Sequence, residues 1–131
     1  MVQDNKPDGL VEPLTPEQVV ARQLDAYNAR NIDMFMDFWA EDAEIYQHPD
    51  TLLAKGYGDI RARHVVRFLE PNLRAHLVNR VVMGNRVVDV ERVTRDFTNG
   101  KGDMDVVAIY DVQDGMIKKA WFLMGQPRML S

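Results

Sequence analysis

The sequence predicts an α+β domain in which N-terminal helices pack on a mainly antiparallel sheet, and three observations carry this. Apolar residues at helical spacing are confined to the first half of the chain. From Leu73 onward the period changes from 3.6 to segments rich in β-branched residues. Those segments are separated by Gly84-Asn85, Asn99-Gly100-Lys101-Gly102 and Asp114-Gly115, each a hairpin-turn signal. Helices first and a run of hairpins after is the α+β order.

Each element follows in turn. Residues 1–14 hold Asp4, Asn5, Lys6, Pro7, Asp8, Gly9 and Pro13 with few apolar side chains, too little to offset the entropy of ordering. A flexible tail is expected there, with residues 15–131 forming one domain. Thr15-Pro16-Glu17-Gln18 is a helix start: a Thr N-cap, a proline where its missing N–H does no harm, and Gln at the reciprocal capping position. Val20, Leu24 and Tyr27 follow at helical spacing, and a second short helix carries Ile32, Phe35, Met36 and Trp39 on one stripe. Glu41-Asp42 is read as its close. Ala43 to His48 reads as a short strand stopped by Pro49, because the residue before proline is pushed to extended geometry. A third helix runs from Asp59 to Leu69 with Ala62, Val65, Val66 and Leu69 as its apolar stripe, and Pro71 ends it. Four strands then form a meander over residues 73–83, 86–97, 103–113 and 116–124.

Composition bounds the function. The 131 residues, 46% of them hydrophobic, supply one core and leave no room for a second domain. No cysteine is present, which excludes a disulfide scaffold, a thiolate nucleophile and a Cys-type zinc or iron–sulfur site. The 16 basic and 20 acidic residues are dispersed, with no basic run, so nucleic acid is not an expected partner. No apolar stretch approaches the roughly 20 residues of a membrane span, and Met1 to Pro16 lacks the order of a signal peptide. A soluble cytoplasmic protein is expected. His48, His64 and His76 show no close ligand spacing, and His64, between charged neighbours on the third helix, reads as a surface residue. No metal or cofactor is expected. Gly56-Tyr57-Gly58 lacks the Lys-Ser or Lys-Thr of a phosphate loop, and there is no G-x-S-x-G elbow.

Phe38-Trp39-Ala40-Glu41-Asp42-Ala43-Glu44-Ile45-Tyr46, and Val107-Ala108-Ile109-Tyr110-Asp111-Val112 through Asp114-Gly115-Met116-Ile117, sit at corresponding places in a known fold. From Thr15 to Met124 the chain resembles the nuclear-transport-factor-2-like superfamily, and within it the SnoaL-like and ketosteroid-isomerase-like members. The resemblance implies a cone-shaped α+β barrel, three helices on a curved, mainly antiparallel sheet. It also implies a homodimer formed through the outer sheet face. The isomerase members use an Asp base with a Tyr and a neutral Asp. Here the corresponding positions hold His48, Gln23 and Val106, so steroid isomerisation by that route is not expected.

Strand register gathers a polar cluster. With Gly84-Asn85 as a two-residue turn, Met83 pairs with Arg86 and Arg80 lies opposite Asp89. Uninterrupted pairing then places Val78 opposite Glu91, and puts His76, Val78, Arg80, Val82, Val87, Asp89, Glu91 and Val93 on one face. Leu73, Ala75, Leu77, Val81, Met83, Val88 and Val90 take the other. Thr98 opposite Asp103 adds Val106, Ala108 and Tyr110 to the first face, and Gln113 opposite Met116 adds Ile117, Lys119, Trp121 and Leu123. Valine mixed with charge suits a pocket wall with a few convergent polar groups. The acid–base candidates are His76, Asp89, Glu91 and His48. The substrate-binding candidates are Arg80, as a carboxylate clamp, with Tyr110, Trp121 and Tyr46. Trp121-Phe122 puts one ring on each face of the sheet, so one of the two sees the pocket.

Two functions fit. One is an isomerase-, cyclase- or dehydratase-like enzyme that works without a cofactor by proton transfer on a small apolar carbonyl compound. The other is a non-catalytic ligand-binding or dimerisation module that uses the same cavity.

Overall fold

Residues 13–130 are described by the computed structural model. The reading of a flexible tail over residues 1–12 lies outside the described residues, while Leu14 already packs against the core. The first helix, α1 (Pro16–Asn28), begins with the foreseen reciprocal cap: the Gln18 amide donates to Thr15 Oγ1 at 3.2 Å and the Thr15 amide to Gln18 Oε1 at 3.0 Å. Its buried face is Val19, Val20, Gln23, Leu24 and Ala26. The second helix, α2 (Ile32–Met36), is capped by Asn31 and buries Phe35 and Met36.

Trp39 does not end α2. It opens β1 (Trp39–Gln47), so Glu41 and Asp42 are exposed strand residues and not a helix close. The cause is tertiary: the Ile117 amide donates to the Phe38 carbonyl at 2.8 Å, and Trp39 pairs with Ile117, which draws the segment into the sheet against its helical spacing. A short strand the sequence reading did not contain, β2 (Thr51–Lys55), returns antiparallel along β1. Its five residues after a proline carry too little alternation to register as a strand.

Helix α3 (Tyr57–Arg67) is rotated from expectation. Val65, Val66 and Leu69 are 39%, 67% and 77% exposed, whereas Ile60 and His64 are its buried residues. Aromatic packing decides this: the His64 ring lies 4.5 Å from Phe35 and 5.9 Å from Phe68, centroid to centroid, inside a layer that also holds Tyr27 and Trp39.

The sheet continues through β3 (Arg74–Met83), β4 (Arg86–Phe97), β5 (Gly100–Gln113), β6 (Met116–Met124) and a short β7 (Arg128–Met129) that pairs with β5. Strand order is β2-β1-β6-β5-β4-β3, antiparallel except where β1 runs parallel to β6. The sheet is curved but not closed, so the cone is open between β2 and β3. Among the described residues no helix is long and apolar enough to cross a membrane.

Register sets the site. Met83 pairs with Arg86 and Arg80 with Asp89, as read from the turn. A bulge between Leu77 and Asn79 then leaves Val78 over, and Leu77, not Val78, faces Glu91. At the next turn Phe97 pairs with Gly100, in place of Thr98 with Asp103. That change in pairing amounts to an even number of residues, so Val106, Ala108 and Tyr110 keep the inner face and are buried. Gln113 pairs with Met116 as foreseen, but a second bulge leaves Lys118 over, so Tyr110 faces Ala120 and Ala108 faces Phe122.

Candidate functional site

Alternation along three strands and the undersides of two helices build one cavity. From β4 come Glu91, Val93 and Arg95; from β5, Met104, Val106 and Tyr110; from β6, Phe122 and Met124. Helix α1 supplies Gln23, Leu24 and Tyr27, and α3 supplies Arg63, His64 and Arg67. Trp39, Ile45, Leu53 and Ala75 complete a volume of about 710 Å³, counted out to its open mouth.

Glu91 is the central polar group, a cavity-lining residue only 5% exposed. Among the described residues nothing donates a hydrogen bond to its carboxyl. Burial pushes its pKa up to about 8, the neighbouring Asp89 charge adds to the rise, and Arg80 partly offsets it. Asp89 behaves differently because it is paired. It is fully buried, and Arg80 donates to it through Nε at 2.7 Å and Nη2 at 2.9 Å. Of these two carboxyls, Asp89 has its counter-ion, and Glu91 has none among the described residues.

His64 lines the same cavity from α3. Burial holds its pKa down at about 4, so the ring is neutral at physiological pH. Its Nδ1 lies 2.8 Å from the Ile60 carbonyl oxygen, which makes Nδ1 the protonated nitrogen and leaves Nε2 as an acceptor. Two further donors line the space. The Trp39 indole Nε1 is fully buried and has no hydrogen-bond partner among the described residues. The Tyr110 hydroxyl is kept protonated: burial raises its pKa well above the usual phenol value, and Glu91 and Asp89 push the same way.

A basic group completes the wall. Arg95 donates Nε–H and Nη2–H to Glu70 at 3.0 and 2.6 Å, and Arg67 Nε lies 3.7 Å from the same carboxylate. Arg63, half-buried, has no ion-pair partner among the described residues, and desolvation followed by the Arg67 and Arg95 charges lowers its pKa.

This partly open cavity with its buried carboxyl lies within residues 20–120, which match the SnoaL-like domain family. The chain belongs to the SnoaL-like family. No curated protein matches it in sequence. Among solved structures, an uncharacterized cystatin-fold protein from Novosphingobium aromaticivorans is 22% identical, with a TM-score of 0.79 over 84% of this chain and 98% of that one. A SnoaL-like polyketide cyclase from Agrobacterium tumefaciens is 20% identical, with a TM-score of 0.72 over 86% and 93%. A putative polyketide cyclase from Sinorhizobium meliloti is 17% identical, with a TM-score of 0.67 over 80% and 93%. At these identities the likeness is one of fold.

Within the SnoaL-like frame the sequence-read candidates separate. Glu91 and Tyr110 line the cavity, and Asp89 with Arg80 forms the ion pair beside it, so Arg80 is already occupied. His76, expected on the concave face, is exposed on the outer one, because the bulge at Val78 reverses the first half of β3. The bulge at Lys118 does the same to β6: Phe122 faces the cavity, while Trp121 lies outside, stacked on Tyr46 at 6.1 Å with Arg86 5.1 Å above its ring. Tyr46 donates its hydroxyl to Glu44 at 2.6 Å on that same face. His48 is exposed in the turn after β1.

Sequence reasoning missed His64, Arg63, Arg67, Arg95, Tyr27 and the Trp39 indole as site residues. Arg95 was within reach, since it shares the face of Glu91 by simple alternation. The α3 residues were not, because the helix was oriented by its aliphatic side chains.

Proposed function

We propose that this SnoaL-like protein is an enzyme that moves protons on a small apolar carbonyl compound, in the isomerase, cyclase or dehydratase manner, with Glu91 as the proton donor. The observation that carries the reading is the Glu91 carboxyl, buried in the cavity with no cation paired to it among the described residues. Two titratable groups whose surroundings drive their pKa values apart mark the acid and the acceptor of such a reaction. Near neutral pH most Glu91 carboxyls hold a proton, whereas His64 Nε2 holds a lone pair. His64 takes a proton from the carbon beside the carbonyl, Glu91 delivers one elsewhere on the substrate, and solvent at the mouth restores both. The Trp39 N–H and Tyr110 O–H are donors for the oxygen on which charge develops.

The test is incubation with a panel of β-keto and β-hydroxy carbonyl compounds in deuterated water, followed by NMR. The wild type is expected to exchange or convert a member of the panel, and Glu91→Gln to lose about 100-fold or more of that rate. A compound that raises the melting temperature yet shows neither exchange nor product would instead make the protein a ligand-binding module.

The proposal extends to a homodimer. Val78, Val81, Val82 and Met83 of β3 are 57%, 49%, 44% and 75% exposed, on a strand at the open edge of the sheet. A second copy would cover them. Sedimentation equilibrium is expected to give twice the chain mass, and Val81→Glu, on the outer face, to halve it; a concentration-independent wild-type monomer refutes the pairing.

A further inference from the structure

We propose that the cavity selects amphipathic carboxylic acids, and that Arg63 holds the carboxylate while the apolar body runs inward toward Glu91. The inference rests on the acid–base reading of Glu91 and adds a substrate class to it. Three guanidinium groups, those of Arg63, Arg67 and Arg95, line one part of the cavity. Glu70 answers two of them, since it takes both Arg95 donors and lies 3.7 Å from Arg67. Asp96, the other acid beside Arg95, accepts from the Asn72 amide at 2.9 Å and from Asn72 Nδ2 at 2.7 Å. Glu91 is mostly protonated and supplies little countercharge. Among the described residues Arg63 is left as a half-buried cation without a carboxylate partner, and a carboxylate that can engage its guanidinium in bidentate fashion is the ligand that suits it.

The shape of the ligand follows from strand spacing. Glu91 and Arg95 share the inner face of β4, four residues apart, or roughly 13 Å along the strand. Between their levels the inner face presents Val93, paired across to Met104. An anion at the arginines and a reacting carbon at Glu91 are therefore joined by an apolar stretch. A short, wholly polar acid would leave that stretch unfilled.

Octanoate and octanol separate the assignment from the chemistry, because binding is read without turnover. By calorimetry the wild type is expected to bind octanoate at least tenfold more tightly than octanol. Arg63→Met should remove that preference and leave octanol affinity unchanged. Arg63→Lys, which keeps charge and bulk and serves as the folding control, should retain part of it. Equal wild-type affinity for acid and alcohol, or a preference that survives both substitutions, overturns the proposal. Neither result bears on Glu91, whose role is decided by turnover alone.

Discussion

Asp89 and Glu91 lie two residues apart on one face of β4, yet their surroundings give them opposite tasks. Asp89 is held by Arg80, so Arg80→Met strands a buried charge and is expected to cost about 3–5 kcal/mol by chemical denaturation. Glu91 has an ordinary value of 4.5 and a folded value of about 8, so the folded chain binds the extra proton between those limits. Its contribution is therefore fully present below pH 4.5 and lost as pH rises through 8, on the order of 5 kcal/mol. His64 has the reverse sign: its folded value is lowered from 6.5 to about 4, so its contribution is present above 6.5 and lost as pH falls. The two slopes oppose each other in mild acid, and above pH 6.5 Glu91 acts alone. Wild-type stability should fall between pH 6.5 and 8, and Glu91→Gln should be flat there. Asp89→Asn removes one cause of the raised value and frees Arg80 to oppose it further, so carbon NMR of the Glu91 carboxyl should show its midpoint moving down by about one unit or more.

The elements show where local chemistry decides structure and where it does not. The α1 cap was legible because Thr15 and Gln18 complete it within four residues, and Thr15→Ala is expected to cost about 0.5–2 kcal/mol in thermal melts. All four long strands were legible, β4 to the residue, because Gly84-Asn85 and Asp114-Gly115 punctuate them. The two bulges were not. An extra residue at Val78 or Lys118 carries no turn chemistry, yet each reverses every side chain beyond it. Glu91 and Tyr110 were placed correctly because β4 pairs with β5 without interruption. His76 and Trp121 were misplaced because a bulge lies between each of them and the turn used for counting. Helix α3 failed for another reason: Val65 and Val66 look like a buried stripe, but the space beneath the helix is aromatic and takes the flat His64 ring.

At the scale of the molecule, an open sheet leaves β3 with one row of backbone groups unpaired by any strand of the described residues. Helix α1 covers part of that row with a single side chain. Asn28 donates Nδ2–H to the Ala75 carbonyl at 2.9 Å and accepts the Ala75 amide on Oδ1 at 2.8 Å, so it stands in for a neighbouring strand at that residue. Ala75 also lines the cavity, and Arg30 ties the same corner by donating to the Glu70 and Pro71 carbonyls at 3.1 and 3.0 Å. The helix layer is thereby fixed over the sheet where the cavity wall would otherwise be free to splay. Replacing Asn28 with Ala leaves a partly buried donor and acceptor without partners, a loss of about 2–3 kcal/mol. Because the two bonds join layers, the effect should not stay local. Amide exchange at Ala75 should quicken well beyond the change in global stability, and octanoate affinity should fall although Asn28 does not line the cavity. Asn28→Asp, which keeps the acceptor and loses the donor, should lie between the two. If Asn28→Ala melts lower but leaves Ala75 exchange tracking global stability and octanoate affinity intact, the clamp stabilises the chain without shaping the site.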